Sequence, residues 1–188
     1  MFRENLDAYI LAGGRSRRMG TDKLYLQIDG QTLLERTIAT CRACLKKVKL
    51  VAGNSARLSS LSVELVLDSP MAKGPMAGII AALEDCETET CFITAVDLPD
   101  LNPDVVESII DRYEGQQYFG LLEANGLQPL CGIYHKSALE VFYQFARNKG
   151  FSVTEVVKTL NYDVINVDSP RWRNLNYPED LAVGEFDG

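Results

Sequence analysis

The sequence of 188 residues has no long hydrophobic run, only one histidine and no excess of positive charge. No apolar stretch approaches the roughly 20 residues that a membrane-spanning helix needs, so we expect no membrane partner. The net charge of −7 argues against a general nucleic-acid surface, which would show a basic balance. Hydrophobic residues at 46% and charged residues at 24% are typical of a folded chain. We therefore predict one domain over residues 1–188.

The five cysteines are odd in number and follow no disulfide pattern, which predicts reduced thiols. Cys41 and Cys44 form a C-x-x-C pair, but the sequence has no second pair of this kind. Both lie in a helical pattern whose apolar face they extend, so we favour a structural role over metal or redox use. The first seven residues lack the basic-then-apolar order of a signal peptide, and we expect a cytoplasmic protein.

Apolar runs alternate with helical patterns along the chain, which predicts an α/β fold with three layers and a mostly parallel sheet. The predicted strands span residues 6–11, 48–52, 63–67, 91–96, 118–123, 127–134 and 163–167. Two of the predicted helices begin at a capping box at 32–35 and at residue 152. Four others span residues 76–86, 102–113, 137–147 and 178–183. Residues 24–28 alternate as a short extended piece, and residues 124–126 predict a hairpin that makes part of the sheet antiparallel.

The first predicted strand is followed by a loop rich in glycine and cations, LAGGRSRRMGTDK at residues 11–23. Glycines let the backbone approach a ligand closely, and arginine and lysine supply the donors that phosphate oxygens need. The loop lacks both the glycine-lysine-serine/threonine ending of a P-loop and the G-x-G-x-x-G spacing of a dinucleotide site, which disfavours kinases and dehydrogenases. We predict a polyphosphate cradle with Lys23 on the β- and γ-phosphates and Arg18 as a second clamp. The structural alternative is a solvated basic turn.

Two aspartates follow predicted strands. Asp97 precedes Leu98 and Pro99, and a carboxylate held there suits Mg²⁺, although a turn or helix cap would also use it. Asp68 has a weaker case, because Asp-Ser-Pro is a common turn signal. Ligands bind beyond the carboxyl ends of the strands in open α/β sheets, so we expect the glycine loop and both aspartates to converge.

A cradle, a lysine and one strand-end aspartate together suggest nucleotidyl transfer, in which a phosphate on the acceptor attacks the α-phosphorus of a nucleoside triphosphate. This chemistry needs positioning and charge neutralisation more than a covalent nucleophile. His135 is the only histidine, and we interpret it as a surface residue rather than a base.

In their order along the chain, these motifs resemble the molybdenum cofactor guanylyltransferases (MobA), a family of nucleotidyltransferases with a Rossmann-like sheet similar to that of nucleotide-diphospho-sugar transferases. The matching segments are residues 11–23, Asp68, GPMAGI at 74–79, DLP at 97–99, QPL at 128–130 and NLNYPEDL at 174–181. The resemblance spans nearly the whole chain.

The resemblance implies a set of site residues. The implied catalytic residues are Lys23, Arg18 and Asp97, with Asp97 also holding Mg²⁺. The implied GTP residues are Leu11, Ala12, Gly13, Gly14, Lys23, Asn54, Asp68 and Asp97. The implied acceptor residues are Gly78, Gln128, Pro129 and Asn176. The family's asparagine after the second strand can be matched to Ala52, Gly53 or Asn54.

The implied reaction joins GTP and molybdopterin (the molybdenum cofactor) into molybdopterin guanine dinucleotide and releases pyrophosphate. Transient contacts with other cofactor-biosynthesis proteins and with acceptor molybdoenzymes are implied as well. A related enzyme with another base or acceptor, such as a molybdopterin cytidylyltransferase, remains an alternative. A noncatalytic nucleotide-binding regulator is a second one, which the retention of Lys23 and Asp97 disfavours.

Overall fold

The computed structural model describes residues 6–13, 23–28, 30–53, 58, 62–123, 126–148 and 152–166. Within these ranges the strands are β1 (Asp7–Leu11), β2 (Gln27–Ile28), β3 (Gln31–Thr32), β4 (Val48–Ala52), β5 (Glu64–Leu67), β6 (Thr90–Ala95), β7 (Tyr118–Glu123), β8 (Gly126–His135) and β9 (Tyr162–Asn166). The α-helices of the same ranges are α1 (Leu33–Cys44), α2 (Pro75–Asp85), α3 (Pro103–Arg112), α4 (Leu139–Arg147) and α5 (Val153–Val157).

The main sheet has the strand order β5-β4-β1-β6-β8-β7-β9, and a separate hairpin pairs β2 with β3. All the described strands of the main sheet run parallel except β8, which is antiparallel to both of its neighbours. The mostly parallel sheet and its antiparallel part are therefore confirmed. The predicted hairpin of β7 and β8 also forms, with β8 inserted between β6 and β7.

Helices cover both faces of this sheet, because successive strand residues point to opposite sides. Ile10 belongs to one buried cluster with residues of α1 and α3, such as Ile38 and Ile109. Its neighbour Tyr9 belongs to the other cluster, with residues of α2 and α4 such as Ile79 and Phe142. The predicted three-layer architecture is confirmed.

Local signals fix the helix starts. Thr32 and Glu35 form the predicted capping box: the Glu35 amide donates to Thr32 Oγ1 at 3.2 Å, and the Thr32 amide donates to Glu35 Oε2 at 2.9 Å. Asn102 caps α3 by accepting from the Val105 amide at 3.1 Å. Such caps satisfy amides that have no partner within the helix.

Cys41 is fully buried in α1, and the Cys44 thiol donates to the Pro103 carbonyl at 3.6 Å. Neither cysteine forms a disulfide bond. These contacts agree with the structural role that the sequence predicts for the C-x-x-C pair.

The predicted extended piece at 24–28 was partly wrong. Lys23–Tyr25 forms a 3₁₀ turn, and only Gln27–Ile28 is extended. The turn still buries Leu24 in the hydrophobic cluster that contains α1. The alternating apolar residues of this segment therefore pack against the core without forming a strand. The predicted helix at 178–183 lies outside the described residues. None of the described helices is long and apolar enough to cross a membrane.

Candidate active site

The candidate site lies at the sheet edge where the parallel strands end. Beyond β1, β4 and β5 come Gly13, Gly53 and Asp68 in turn, and Asp97 lies two residues beyond the end of β6. Strand β1 lies directly between β4 and β6, and β5 flanks β4 on its other side. The start of the glycine loop and both aspartates therefore lie at the same edge of the sheet, where ligands of open α/β sheets bind.

Three glycines surround the carboxylate of Asp68. A Cβ atom added to Gly13 or to Gly53 would lie 3.1 Å from Asp68 Oδ2, closer than nine in ten real Cβ contacts. A Cβ added to Gly78 would lie 3.4 Å from Asp68 Oδ1 and 2.9 Å from a methyl group of Leu11. One carboxylate is thus approached closely by three backbone segments: those after β1 and β4, and the first turns of α2. Larger residues at the three glycines would shift the neighbouring side chains.

Backbone hydrogen bonds hold these segments together. The Asp68 amide donates to the Ala52 carbonyl at 3.2 Å, and the Ala12 amide donates to the Val51 carbonyl at 2.8 Å. The amide of buried Ser69 donates to the Ala77 carbonyl of α2 at 3.1 Å. The position of Asp68 is therefore fixed by its own strand end, by β4 and by α2.

Helix α2 is preceded by a glycine with a backbone conformation that L-residues rarely adopt. Gly74 has φ +61° and is followed by Pro75 at the first helical position. Proline suits this position because its missing N–H would have no partner there. The Gly-Pro pair aims α2 so that Gly78 reaches Leu11 and Asp68.

Burial raises the pKa of Asp68 above its ordinary value of 3.8. Loss of water disfavours the ionised form, which regains stability when a ligand supplies hydrogen-bond donors. A partly buried carboxylate at a strand end is thus suited to accept hydrogen bonds from hydroxyl or N–H groups of a ligand.

Asp97 lies in a turn whose flanking residues are buried in the core. Its neighbours Val96 and Leu98 are both buried, and the Leu101 amide closes the turn that follows by donating to the Leu98 carbonyl at 3.1 Å. The Asp97 side chain itself is half-buried. In the described part of the chain no three His, Cys, Asp or Glu residues group to hold a metal. A single carboxylate fits Mg²⁺, which takes few protein ligands and completes its shell with phosphate and water oxygens.

Gln128 and Pro129 lie on β8, the strand beside β6. Because β8 is antiparallel to β6 and Cys131 pairs with Thr94, the residues just before Cys131 extend toward the edge where Asp97 lies. Gln128 is buried, and its Oε1 accepts from the Leu130 amide at 3.3 Å.

Several predicted site residues lie outside the described residues: Gly14, Arg18, Asn54 and Asn176. The backbone of Lys23 begins the 3₁₀ turn, and its side chain is not among the described ones. The structure places Gly78 against Leu11 and Asp68, so we group it with the residues predicted for the nucleotide.

His135 ends β8 opposite Thr90, the first residue of β6. It therefore lies at the opposite sheet edge from Asp97. Its Nδ1 accepts from the Ser137 amide at 3.1 Å, which gives it a local capping role. This agrees with its interpretation as a surface residue rather than a base.

The sequence interpretation missed Gly53 as a partner of Asp68. The available signal was its place directly after a predicted strand, the same place that Gly13 occupies after the first. It also missed the tyrosines under Gln128, because Tyr118 and Tyr134 read as ordinary apolar strand residues.

A mostly parallel sheet with a glycine-lined carboxylate and a second strand-end aspartate is the architecture of a nucleoside-triphosphate transferase domain. The chain belongs to the MobA-like NTP transferase domain family, whose sequence model matches residues 8–161. The family resemblance inferred from the motifs is confirmed.

Relatives match over most of their own length. A probable molybdenum cofactor guanylyltransferase of Nostoc sp. is 31% identical over 192 residues, covering 97% of this chain and 93% of the relative. A protein of Aquifex aeolicus with the same description is 28% identical over 176 residues, covering 92% and 87%. The crystal structure of molybdopterin-guanine dinucleotide biosynthesis protein A from Archaeoglobus fulgidus shares the fold, with a TM-score of 0.80 at 24% identity, covering 94% of this chain and 95% of that one.

Proposed function

We propose that this protein transfers GMP from GTP to molybdopterin, forming molybdopterin guanine dinucleotide and releasing pyrophosphate, with Mg²⁺ as its cofactor. The observation that carries the proposal is the convergence of Gly13, Gly53 and Gly78 on Asp68, at the sheet edge where Asp97 also lies. The guanylyltransferase descriptions of the relatives from Nostoc sp. and Aquifex aeolicus support GTP and molybdopterin as the substrates.

The nucleotide binds on the side of β1, β4 and β5. The backbone of residues 11–14 approaches the triphosphate, and Lys23 and Arg18 neutralise its charge. Asp68 accepts hydrogen bonds from the nucleoside, since a carboxylate would repel the phosphates but favours hydroxyl and N–H donors. Asn54 contributes to recognition of the base.

The acceptor binds on the side of β8, where Gln128 and Pro129 lie, and Asn176 also contributes to its binding. In the sheet order, β6 separates β1 from β8, so Asp97 lies between the two substrate sides. At about 4.8 Å between neighbouring strands, β1 and β8 lie roughly 10 Å apart. At this spacing, a carboxylate that follows the middle strand is within reach of phosphates bound on either side of it.

In the reaction, an oxygen of the acceptor phosphate forms a bond to the α-phosphorus of GTP. The bond from that phosphorus to the bridging oxygen breaks, and its electron pair leaves with pyrophosphate. The chain contributes by holding the two phosphates in line and by placing Lys23 and Arg18 on the leaving group. When bound, Mg²⁺ would be held by Asp97 and would neutralise charge on the phosphate oxygens.

We place the reaction in the cytoplasm, where the free thiols of this chain would stay reduced. Contacts with other proteins of cofactor biosynthesis and with acceptor molybdoenzymes belong to the same proposal.

Measuring pyrophosphate release with molybdopterin and Mg²⁺ tests the function, with GTP, CTP and ATP compared in parallel. We expect turnover to be fastest with GTP and to be lost when a chelator removes Mg²⁺. Equal or faster turnover with CTP would contradict the guanylyl assignment and favour a cytidylyltransferase. No turnover with any nucleotide, with GTP binding retained, would favour a noncatalytic regulator instead.

A further inference from the structure

We infer that Tyr118 and Tyr134 are positioning residues, whose buried hydroxyls hold the start of β8 in the shape that acceptor binding needs. The inference rests on the proposed function, because it assigns these hydroxyls to the acceptor side of the same site. It concerns the segment Gln128-Pro129-Leu130-Cys131, which we term the β8 bulge.

The β8 bulge arises from a register shift between β7 and β8. Gly120 pairs with Gly132, but the next residue of β7, Leu121, pairs with Gln128. One step along β7 thus corresponds to four steps along β8, so three additional residues of β8, 129–131, lie between two consecutive pairs. Carbonyl groups buried in such an interruption of the ladder are satisfied by hydrogen-bond donors.

The two tyrosine hydroxyls supply those donors. The Tyr118 hydroxyl lies 2.7 Å from the Gln128 carbonyl oxygen and 3.2 Å from that of Cys131. The Tyr134 hydroxyl donates to the Pro129 carbonyl at 2.6 Å. Both tyrosines are fully buried, and their ring centroids lie 4.7 Å apart. Two packed rings therefore hold three carbonyls of one short segment.

A pair of glycines makes room for this arrangement. A Cβ on Gly120 would overlap the Tyr118 hydroxyl, and a Cβ on Gly132 would lie 2.9 Å from Tyr118 Cε2. The Tyr118 ring can cross the paired glycines only because neither carries a side chain. The register shift, the glycine pair and the two tyrosines thus form one unit.

The unit acts at the site because the β8 bulge extends toward the sheet edge where Asp97 lies. A regular β8 would continue its ladder with β7 and would orient Gln128 and Pro129 differently. Bulges beside active sites redirect side chains in this way. The tyrosines lie beneath the segment and reach an acceptor only through it, which makes them positioning rather than catalytic residues.

The variants Tyr118→Phe and Tyr134→Phe test this role, since each removes one hydroxyl and keeps the ring. We expect the KM for molybdopterin to rise about fivefold to thirtyfold in each, the range for loss of a buried hydrogen bond, while the KM for GTP changes by less than about twofold. Amide hydrogen exchange gives a second readout. The Leu130 amide, which donates within the β8 bulge, should exchange faster in both variants.

The matched control is Tyr9→Phe. Tyr9 is also fully buried, and its hydroxyl donates a hydrogen bond to Asp85 at 2.8 Å, away from the β8 bulge. We expect Tyr9→Phe to lower the melting temperature without changing the KM for molybdopterin. An equal rise of that KM in the control would show a general effect of destabilisation and would overturn the inference.

The outcomes separate the inference from the function on which it rests. If the wild-type protein turns over GTP and molybdopterin but both tyrosine variants keep its KM and exchange rates, the inference alone is refuted. If the KM for GTP rises as much as that for molybdopterin, the assignment to the acceptor side is refuted. No turnover by the wild-type protein would refute the proposed function itself.

Discussion

The Tyr9 hydroxyl donates a hydrogen bond of 2.8 Å to Asp85, and the same Oδ2 atom accepts one of 2.8 Å from Nζ of Lys49. Tyr9 and Lys49 are paired across β1 and β4, while Asp85 is the last residue of α2. These bonds tie the C-terminal end of α2 to the sheet. The N-terminal part of the same helix carries Gly78 against Asp68.

Replacing Asp85 by alanine should destabilise the protein. Burial alone would lower the pKa of Lys49, but hydrogen bonds to Asp85 and Glu64 outweigh this and raise the pKa. Asp85→Ala would leave the Lys49 ammonium, whose side chain is 11% exposed, with Glu64 alone and would remove the acceptor of the Tyr9 hydroxyl. We expect the free energy of unfolding in urea to fall by about 2 kcal/mol.

An exposed ion pair provides the contrast. Arg147 and Glu140 are 3.3 Å apart on α4, with both side chains more than half exposed. Glu140→Ala should cost less than about 0.5 kcal/mol, because solvent screens such pairs. Similar losses for the two variants would contradict the importance of the Asp85 network.

Alanine at Gly13 or Gly53 should weaken nucleotide binding. Neither glycine has a positive φ, so alanine is strained only by its contact with Asp68 Oδ2, at 3.1 Å in both cases. The methyl group would displace the carboxylate, and we expect the dissociation constant for GTP, measured by calorimetry, to rise about tenfold. The free energy of unfolding should change by less than about 1 kcal/mol. Unchanged GTP affinity in both variants would show that Asp68 does not contact the nucleotide.

Asp68→Asn should weaken GTP binding and at the same time stabilise the free protein at neutral pH. Because burial raises the pKa of Asp68 above 3.8, the folded state holds the proton more tightly than the unfolded chain. Stability therefore falls as the pH rises from 3.8 through the raised pKa, and the asparagine variant avoids this loss. Melting temperatures measured across this range should favour the variant above that window and converge with the wild type below it. A difference that does not depend on pH would refute the burial cost.

Asp97→Asn should reduce turnover far more than nucleotide binding. The proposed Mg²⁺ contributes several kcal/mol to charge stabilisation in the transition state, so kcat should fall at least about a hundredfold. The dissociation constant for GTP measured without Mg²⁺ should stay within about threefold of the wild type. Asp104→Asn, an exposed change in the first turn of α3, is the matched control and should keep wild-type kcat. A kcat near the wild-type value in Asp97→Asn would exclude Asp97 as the metal ligand.

Periodic apolar patterns and capping residues predicted most of the fold. The bounds of β4 match the prediction at both ends, and α3 begins at the predicted Asn102 cap and Pro103. These signals are local, so they can be read without knowing what packs nearby. The hairpin of β7 and β8 was predicted for the same reason, but the insertion of β8 beside β6 depends on long-range pairing that no local pattern encodes.

The candidate site was less accessible from the sequence. Asp68 lies in an ordinary turn sequence. Its position among three glycines depends on three distant parts of the chain, at residues 13, 53 and 78, which only the folded structure brings together. The β8 bulge was hidden for a similar reason. An alternating strand pattern does not reveal a register shift, which depends on the Gly120–Gly132 pair and on where the tyrosine hydroxyls reach.

The order of the strands along the chain also separates the two proposed substrate sides. Every residue proposed here for the nucleotide and the metal precedes residue 98, whereas the strands that build the acceptor side, β7, β8 and β9, all follow it. Substitutions before residue 98 should therefore act on the nucleotide and the metal, and substitutions after it on the acceptor.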